Sequence, residues 1–246
     1  PVKRFKCLHP SYPVRTKDLV VLLAVAVFIL LLTLPYLLQP FEVPLNTFFK
    51  VSSTDYAKGN YTCIVFVSWY GCPYGAADSW VLYAFLPHYG KVSFNVSYSD
   101  PYDAYPNTPA VIFLNFTPNS SVHFRFLYLY NRYLNATADG TVVSNFVSYG
   151  LEEIKAEFPQ FYPYVKEYIV EKWASGSFFQ PAAYMGSPPH IPSFIIISGE
   201  KGTYMLIGSI VSPSYFSGYN ATYLLKNYSN LSFIQDGVDV LEEYVG

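Results

Sequence analysis

Cys63-Ile64-Val65-Phe66-Val67-Ser68-Trp69-Tyr70-Gly71-Cys72-Pro73-Tyr74-Gly75 is the stretch on which the fold turns. Residues 63–69 form a nearly unbroken apolar run, the pattern of a strand covered on both faces. The run stops at Tyr70-Gly71, and Cys72-Pro73 opens a helix. Proline at the first helical position has its φ already set and gives up only an N–H that had no partner there. Apolar side chains then recur at helical spacing to about Leu86, where Pro87 ends them.

Toward the C-terminus, Val92–Tyr98 alternates as a second strand. Ala110–Phe116 and Val122–Tyr130 read as two more, and the turn Thr117-Pro118-Asn119-Ser120 between them predicts a hairpin. Val142–Phe158 and Phe161–Trp173 read as helices separated by Pro159, followed by a Gly/Ser/Pro-rich loop from Ala174 to Pro189. Ser193–Ser198 and Thr203–Val211, joined by Gly199-Glu200-Lys201-Gly202, predict another hairpin, and helical segments fill the remainder. Strand, helix, strands, helices, hairpin, helix is the order of an α/β sandwich.

Toward the N-terminus, Leu19–Leu38 is twenty residues without a charge. At 1.5 Å per residue it matches the hydrocarbon core of a bilayer, about 30 Å. Pro35 falls in the last turn, where a lost hydrogen bond costs least, and Tyr36 suits the interface. Lys3, Arg4, Lys6, Arg15 and Lys17 precede the span, opposed only by Asp18, and the next basic residue is Lys50, which predicts a cytoplasmic N-terminus. The apolar stretch is longer than that of a cleavable leader and reads as an uncleaved signal anchor. The predicted organisation is a basic tail over 1–18, a transmembrane helix over 19–38, a stalk over 39–56 stiffened by Pro40 and Pro44, and an extracytoplasmic domain over 57–246.

Eight N-x-S/T sequons begin at Asn60, Asn95, Asn115, Asn119, Asn135, Asn220, Asn227 and Asn230, so eight of the twelve asparagines qualify and all follow the span. That bias predicts N-linked glycans on the outer domain. Charged residues are only 13% of the chain, against about 25% in an ordinary soluble domain. Neutral polar groups and 25 tyrosines must carry the surface, which suits an acidic exterior.

Trp69-Tyr70-Gly71-Cys72-Pro73-Tyr74 at a helix start, with Ile191-Pro192 opening a late hairpin, resembles the thioredoxin fold in its glutaredoxin-like and disulfide-oxidoreductase-like branches. The longer string from Trp69 through Gly75-Ala76-Ala77 to Trp80, with Tyr105-Pro106-Asn107-Thr108-Pro109 and Pro192 through Pro213, is similar to an archaeal membrane-anchored family of unknown function. Members of that family carry a Cys-Pro-Tyr-Cys motif. The resemblance covers roughly 60–240 and implies a thioredoxin-like domain with a helical insertion at about 141–174. It also implies a cis proline facing Cys72, for which Pro192 is favoured over Pro109 because a terminal helix follows its hairpin. Trp69 and Tyr74 would line a peptide groove beside that proline.

Gly75 stands where the resolving cysteine of that pattern belongs, and glycine cannot attack a mixed disulfide. Dithiol chemistry at the motif is thereby excluded. Cys63 lies nine residues back along an extended strand, roughly 20 Å or more away, and reads as a small buried apolar residue. Cys7 precedes the span. Cys72 at a helix N-terminus is expected to have a lowered pKa and would be the catalytic residue only of a monothiol protein.

Other chemistries lack their residues. His9, His88, His123 and His190 are scattered, no HExxH, paired CxxC or calcium loop occurs, and no cofactor motif is present, so neither metal nor cofactor is expected. Beyond the span 10 Lys/Arg face 16 Asp/Glu, which argues against nucleic acid. The expected partners are membrane lipid, other membrane protein subunits and N-linked glycans. Two functions fit: a non-catalytic accessory or scaffolding subunit of a membrane complex, or a monothiol exchange protein acting on exported proteins or small thiols.

Overall fold

The computed structural model of the chain describes residues 16–38 and 42–245. The basic residues Lys3, Arg4, Lys6 and Arg15, together with Cys7 and Pro40, lie outside the described residues. The chain divides into two units, residues 1–41 and 42–246.

In the first unit, α1 (Thr16–Leu38) is one uninterrupted helix, long and apolar enough to cross a membrane. Its Thr33 hydroxyl donates back to the Ile29 carbonyl (2.9 Å), which satisfies a polar group that hydrocarbon could not.

In the second unit the strands β1 (Phe49–Ser52) and β2 (Thr62–Ser68) precede α2 (Pro73–Phe85). Then come β3 (Gly90–Tyr98), β4 (Pro109–Pro118) and β5 (Val122–Tyr128), followed by α3 (Phe146–Glu157) and α4 (Tyr162–Val165). The chain ends with β6 (Phe194–Gly199), β7 (Gly202–Ile207), α5 (Ala221–Asn227) and α6 (Ser232–Val245). The main sheet has the order β1-β7-β6-β2-β5, with β2 and β5 parallel and the other pairs antiparallel. This is a mixed α/β domain.

β2 lies inside the sheet, between β6 and β5, because its sequence leaves it no exposed face. Ile64 and Phe66 enter one core with Trp80, Leu82 and Phe85 of α2 and Leu241 of α6. Val65 and Val67 enter a second core with Ile154 of α3, Val165 of α4 and Phe161. Helices therefore cover both faces of the sheet. Asn145 caps α3 by accepting from the Ser148 N–H (3.0 Å), so this helix starts at Phe146 rather than Val142. The helix expected over Phe161–Trp173 is instead the short α4 continued by a π-helical segment, Lys166–Glu171.

Two further expectations are corrected. β4 forms its hairpin with β3, Tyr98 facing Pro109, and β5 pairs in parallel with β2, Thr62 facing Val122. Pairing β5 with β4 would have left one edge of the buried β2 without hydrogen bonds, a cost the parallel pairing removes. Nor do residues 42–56 behave as a stalk. Val43 is buried and its N–H donates to the Trp173 carbonyl (2.8 Å), while β1 adds to the sheet edge beside β7. Asn46 Oδ1 accepts from the Ser209 N–H (3.0 Å) and fills the space beside Gly208, whose φ of +104° needs glycine.

Asp78 of α2 is fully buried. Its Oδ1 accepts from the Ile210 N–H (2.7 Å), while Oδ2 has no partner among the described residues. Desolvation raises this carboxyl well above its ordinary value, opposed by the Ile210 bond, so burial favours its protonated form. A raised folded pKa gives stability that is complete below the unfolded value of about 3.9 and lost as pH rises through the folded value. Relative to the non-titrating Asp78→Asn, the wild type is therefore expected to lose stability steadily as pH rises above about 4, read from urea midpoints. Parallel curves would mean the carboxylate is ionised inside the fold.

Candidate functional site

The C-terminal ends of β2 and β5 and the N-terminal end of β6 meet at one end of the sheet, Ser68 facing Tyr128 and Val67 facing Phe194. The turn after β2 is held there by the Tyr70 N–H donating to the Tyr130 carbonyl (3.1 Å) and the Asp100 N–H donating to the Gly71 carbonyl (2.9 Å). A Cβ on Gly71 would overlap the Arg132 carbonyl, so only glycine permits this approach. Tyr130 ties the remaining wall. Its hydroxyl donates to the Phe146 carbonyl (2.7 Å) and accepts from the Ile191 N–H (3.2 Å).

Cys72 caps α2, with the Gly75 N–H directed at its sulfur (3.4 Å) and Pro73 following at the first helical position. Both the helix terminus and these N–H groups favour a thiolate, yet Cys72 is buried. Burial, with the nearby charge of Asp103 adding to it, outweighs hydrogen bonds from the backbone of Gly75, Tyr74 and Ser193, and pushes the thiol up to about 11. The expected lowered pKa is thus corrected, because desolvation exceeds the helix-terminus effect. Cys63 is half-buried rather than buried, its thiol also raised mainly by burial, and both cysteines are free.

A cleft of about 310 Å³ opens over Cys72, lined among others by Trp69, Tyr74, Met185, His190 and Pro192. Tyr74 meets the ring of Tyr105 edge-on (5.9 Å), and Trp69 meets His190 likewise (5.6 Å). Trp69 is itself buried, and its Nε1 has no partner among the described residues. His190 Nδ1 lies 2.7 Å from the Pro188 carbonyl, so this nitrogen carries the proton and donates. Burial lowers the His190 pKa, leaving a neutral imidazole at pH 7.

Four of the residues singled out in the sequence, Trp69, Cys72, Tyr74 and Pro192, thus come together. Pro109 does not join them. It starts β4, where its carbonyl accepts from Trp80 Nε1 (2.9 Å). The bond Ile191–Pro192 is trans, and among the described residues the cis bond is Ser187–Pro188. His190, Asp103 and Met185 carry no such mark in the sequence, although His190 directly precedes the Ile191-Pro192 pair and Asp103 lies two residues before the Tyr105–Pro109 block. Among the described residues no three His, Cys, Asp or Glu side chains converge as a metal site would need. Seven sequon asparagines are exposed and Asn227 is half-buried.

The space beside Gly75 is closed. A Cβ on Gly75 would overlap the Ser68 hydroxyl and press on that of Ser193. Gly75→Cys alone is expected to cost about 1–3 kcal/mol by overpacking. Adding Ser68→Gly should recover part of the loss and allow Cys72 to form a disulfide with the introduced thiol, as urea melts and thiol counts would show. An unchanged midpoint for the single variant would mean the space is open. With the thiol at about 11, about one Cys72 in ten thousand is a thiolate at pH 7. Iodoacetamide is therefore expected to spare the Cys72 peptide in the native protein and label it in urea, as mass spectrometry would read. Ready native labelling would restore a nucleophilic role.

Comparison with known proteins adds one finding. No curated protein and no solved structure matches the chain. Residues 47–246, from just before β1 to the C-terminal residue, match the family described as "Domain of unknown function (DUF929)", and since that is most of the chain, the protein belongs to this family.

Proposed function

We propose that the domain is a thioredoxin-like binding module, held on the outer face of a membrane by α1 and N-glycosylated, that serves as a non-catalytic accessory or scaffolding subunit of a membrane protein complex. The sheet order supports the thioredoxin-like reading. A parallel pair β2–β5 joined through α2 lies beside an antiparallel hairpin β6–β7 followed by α6, with α3 and α4 as the helical insertion and β1 and the β3–β4 hairpin as additions. The exposure of most sequon asparagines supports glycosylation, and the basic residues before α1 support the orientation.

The observation that carries the non-catalytic reading is the state of Cys72: buried, protonated, and with Gly75 where a second thiol would act. The apolar cleft above it, walled by Trp69, Tyr74 and Pro192, retains the shape of a contact site without a nucleophile. Membrane lipid and other membrane subunits are the partners this reading takes, and no cofactor is needed.

Mild detergent extraction of native membranes, followed by native and non-reducing electrophoresis with mass spectrometry, tests it on the wild type and on Cys72→Ser. The same partners in constant ratio from both proteins are expected. A spread of reducible adducts on the wild type that Cys72→Ser abolishes would instead establish monothiol exchange.

A further inference from the structure

Three features coincide at the segment Trp173–Pro189. First, no Asp, Glu, Lys or Arg occurs between Lys172 and Glu200. The loop combines this neutrality with exposed apolar side chains: Phe178 is 86% exposed, and Tyr184 and Met185 are also exposed. The rings of Trp173, Phe179 and Phe178 touch in series, with centroids 4.8 Å apart at each step. Single exposed apolar residues are ordinary, but a neutral aromatic cluster of this kind is the composition of a membrane-interface anchor.

Second, the loop is fixed to the point where the chain enters the domain. The Val43 N–H donates to the Trp173 carbonyl (2.8 Å), and the Ser175 N–H donates to the Val43 carbonyl (2.8 Å). Only residues 39, 40 and 41 separate Glu42 from Leu38, the last residue of α1. Whatever path they take, four peptide steps reach at most about 14 Å. Third, the eight sequons begin within 60–135 and 220–230, and none begins over residues 136–219. A loop without sequons or charged side chains of its own, flanked at the membrane entry by Glu42 and Lys172, is one that a lipid headgroup layer can cover.

We infer that the Trp173–Pro189 loop rests on the outer leaflet, with Trp173, Phe178 and Phe179 seated at the boundary between headgroups and acyl chains. Aromatic rings favour that boundary because it offers apolar contact below and hydrogen-bond partners above. The inference rests on α1 crossing the membrane. It places a second membrane contact on the domain.

The 246-residue chain carrying Phe178→Trp and Trp173→Phe, reconstituted in phosphatidylcholine vesicles, reads this directly. Trp69 and Trp80 are buried and give a constant background, measured with Trp173→Phe alone. With acyl chains brominated near the headgroup, the reporter at position 178 is expected to lose emission beyond that background and to emit at shorter wavelength than in detergent. Emission unchanged by bromine, from a chain that floats with the vesicles, would overturn the inference while leaving the anchor intact. A blue shift in native membranes but not in lipid-only vesicles would also overturn it, showing that a protein covers the loop. A chain that fails to float would remove the anchor and the inference together.

Discussion

β2 is a strand with no face and no edge to spare, and the domain is arranged to satisfy it. Its backbone groups pair with β5 on one side and β6 on the other, and its side chains divide between two cores. Because buried peptide groups must be paired, the choice of parallel β5 and antiparallel β6 is also a choice of where loops gather. Parallel strands finish together, and an antiparallel neighbour begins where they finish. Three connections, at 69–72, 129–132 and 190–193, therefore meet at one end, where ligand sites of open α/β sheets characteristically lie. The cleft is a consequence of how one apolar strand was buried.

What that cleft can do is decided by a contest at Cys72. The helix terminus, the Gly75 N–H and the backbone of Ser193 favour a negative sulfur, whereas removal from water opposes it. In a reactive cysteine the first set prevails because the sulfur remains partly wet. Here Trp69, Tyr74 and the Pro192 segment dry the site, and desolvation prevails. Ser68 adds a structural argument. Its hydroxyl occupies the volume that a side chain at position 75 would need, so strand and helix are adjusted to a glycine.

Elements whose identity depends on local pattern are legible in the sequence: α1, β2, the proline-started α2, and the β6–β7 hairpin with its Gly199–Gly202 turn. Pairing is not. The residues of β4 and β5 alternate equally well for either partner, and the turn at Thr117–Ser120 looks like a hairpin turn although it passes the chain from the small sheet to the large one. Likewise Pro40 and Pro44 suggest a stalk, yet Val43 and Phe48 find a core that only the folded sheet provides. Trp69, Cys72, Tyr74 and Pro192 stand out because motif and turn residues mark them. His190 and Asp103 do not, since a lone histidine or aspartate acquires meaning from neighbours distant in sequence.

The shortage of charge has a consequence for how the domain meets changes in pH. Three ion pairs, Arg125–Glu157, Lys166–Glu171 and Lys172–Glu167, occur among the described residues, all between substantially exposed side chains and so contributing little. The groups whose titration matters are buried. Asp78, Cys72, Tyr128 and Tyr130 are all held protonated by desolvation. Raised pKa values of acids protect the fold at low pH and are lost on the alkaline side, for Cys72 between its ordinary 9.0 and about 11. His190 works in the opposite direction. Its lowered pKa means the unfolded imidazole takes a proton near pH 6.5 that the folded one refuses, so this contribution disappears as pH falls through that range. Acidification therefore strengthens the balance at Asp78 while it weakens the cleft wall at His190. Apart from Asp78, the core is built from aromatic rings and neutral hydrogen bonds. In acid the domain therefore loses stability at the cleft, where half-buried His190 stands edge-on to Trp69 and Tyr130.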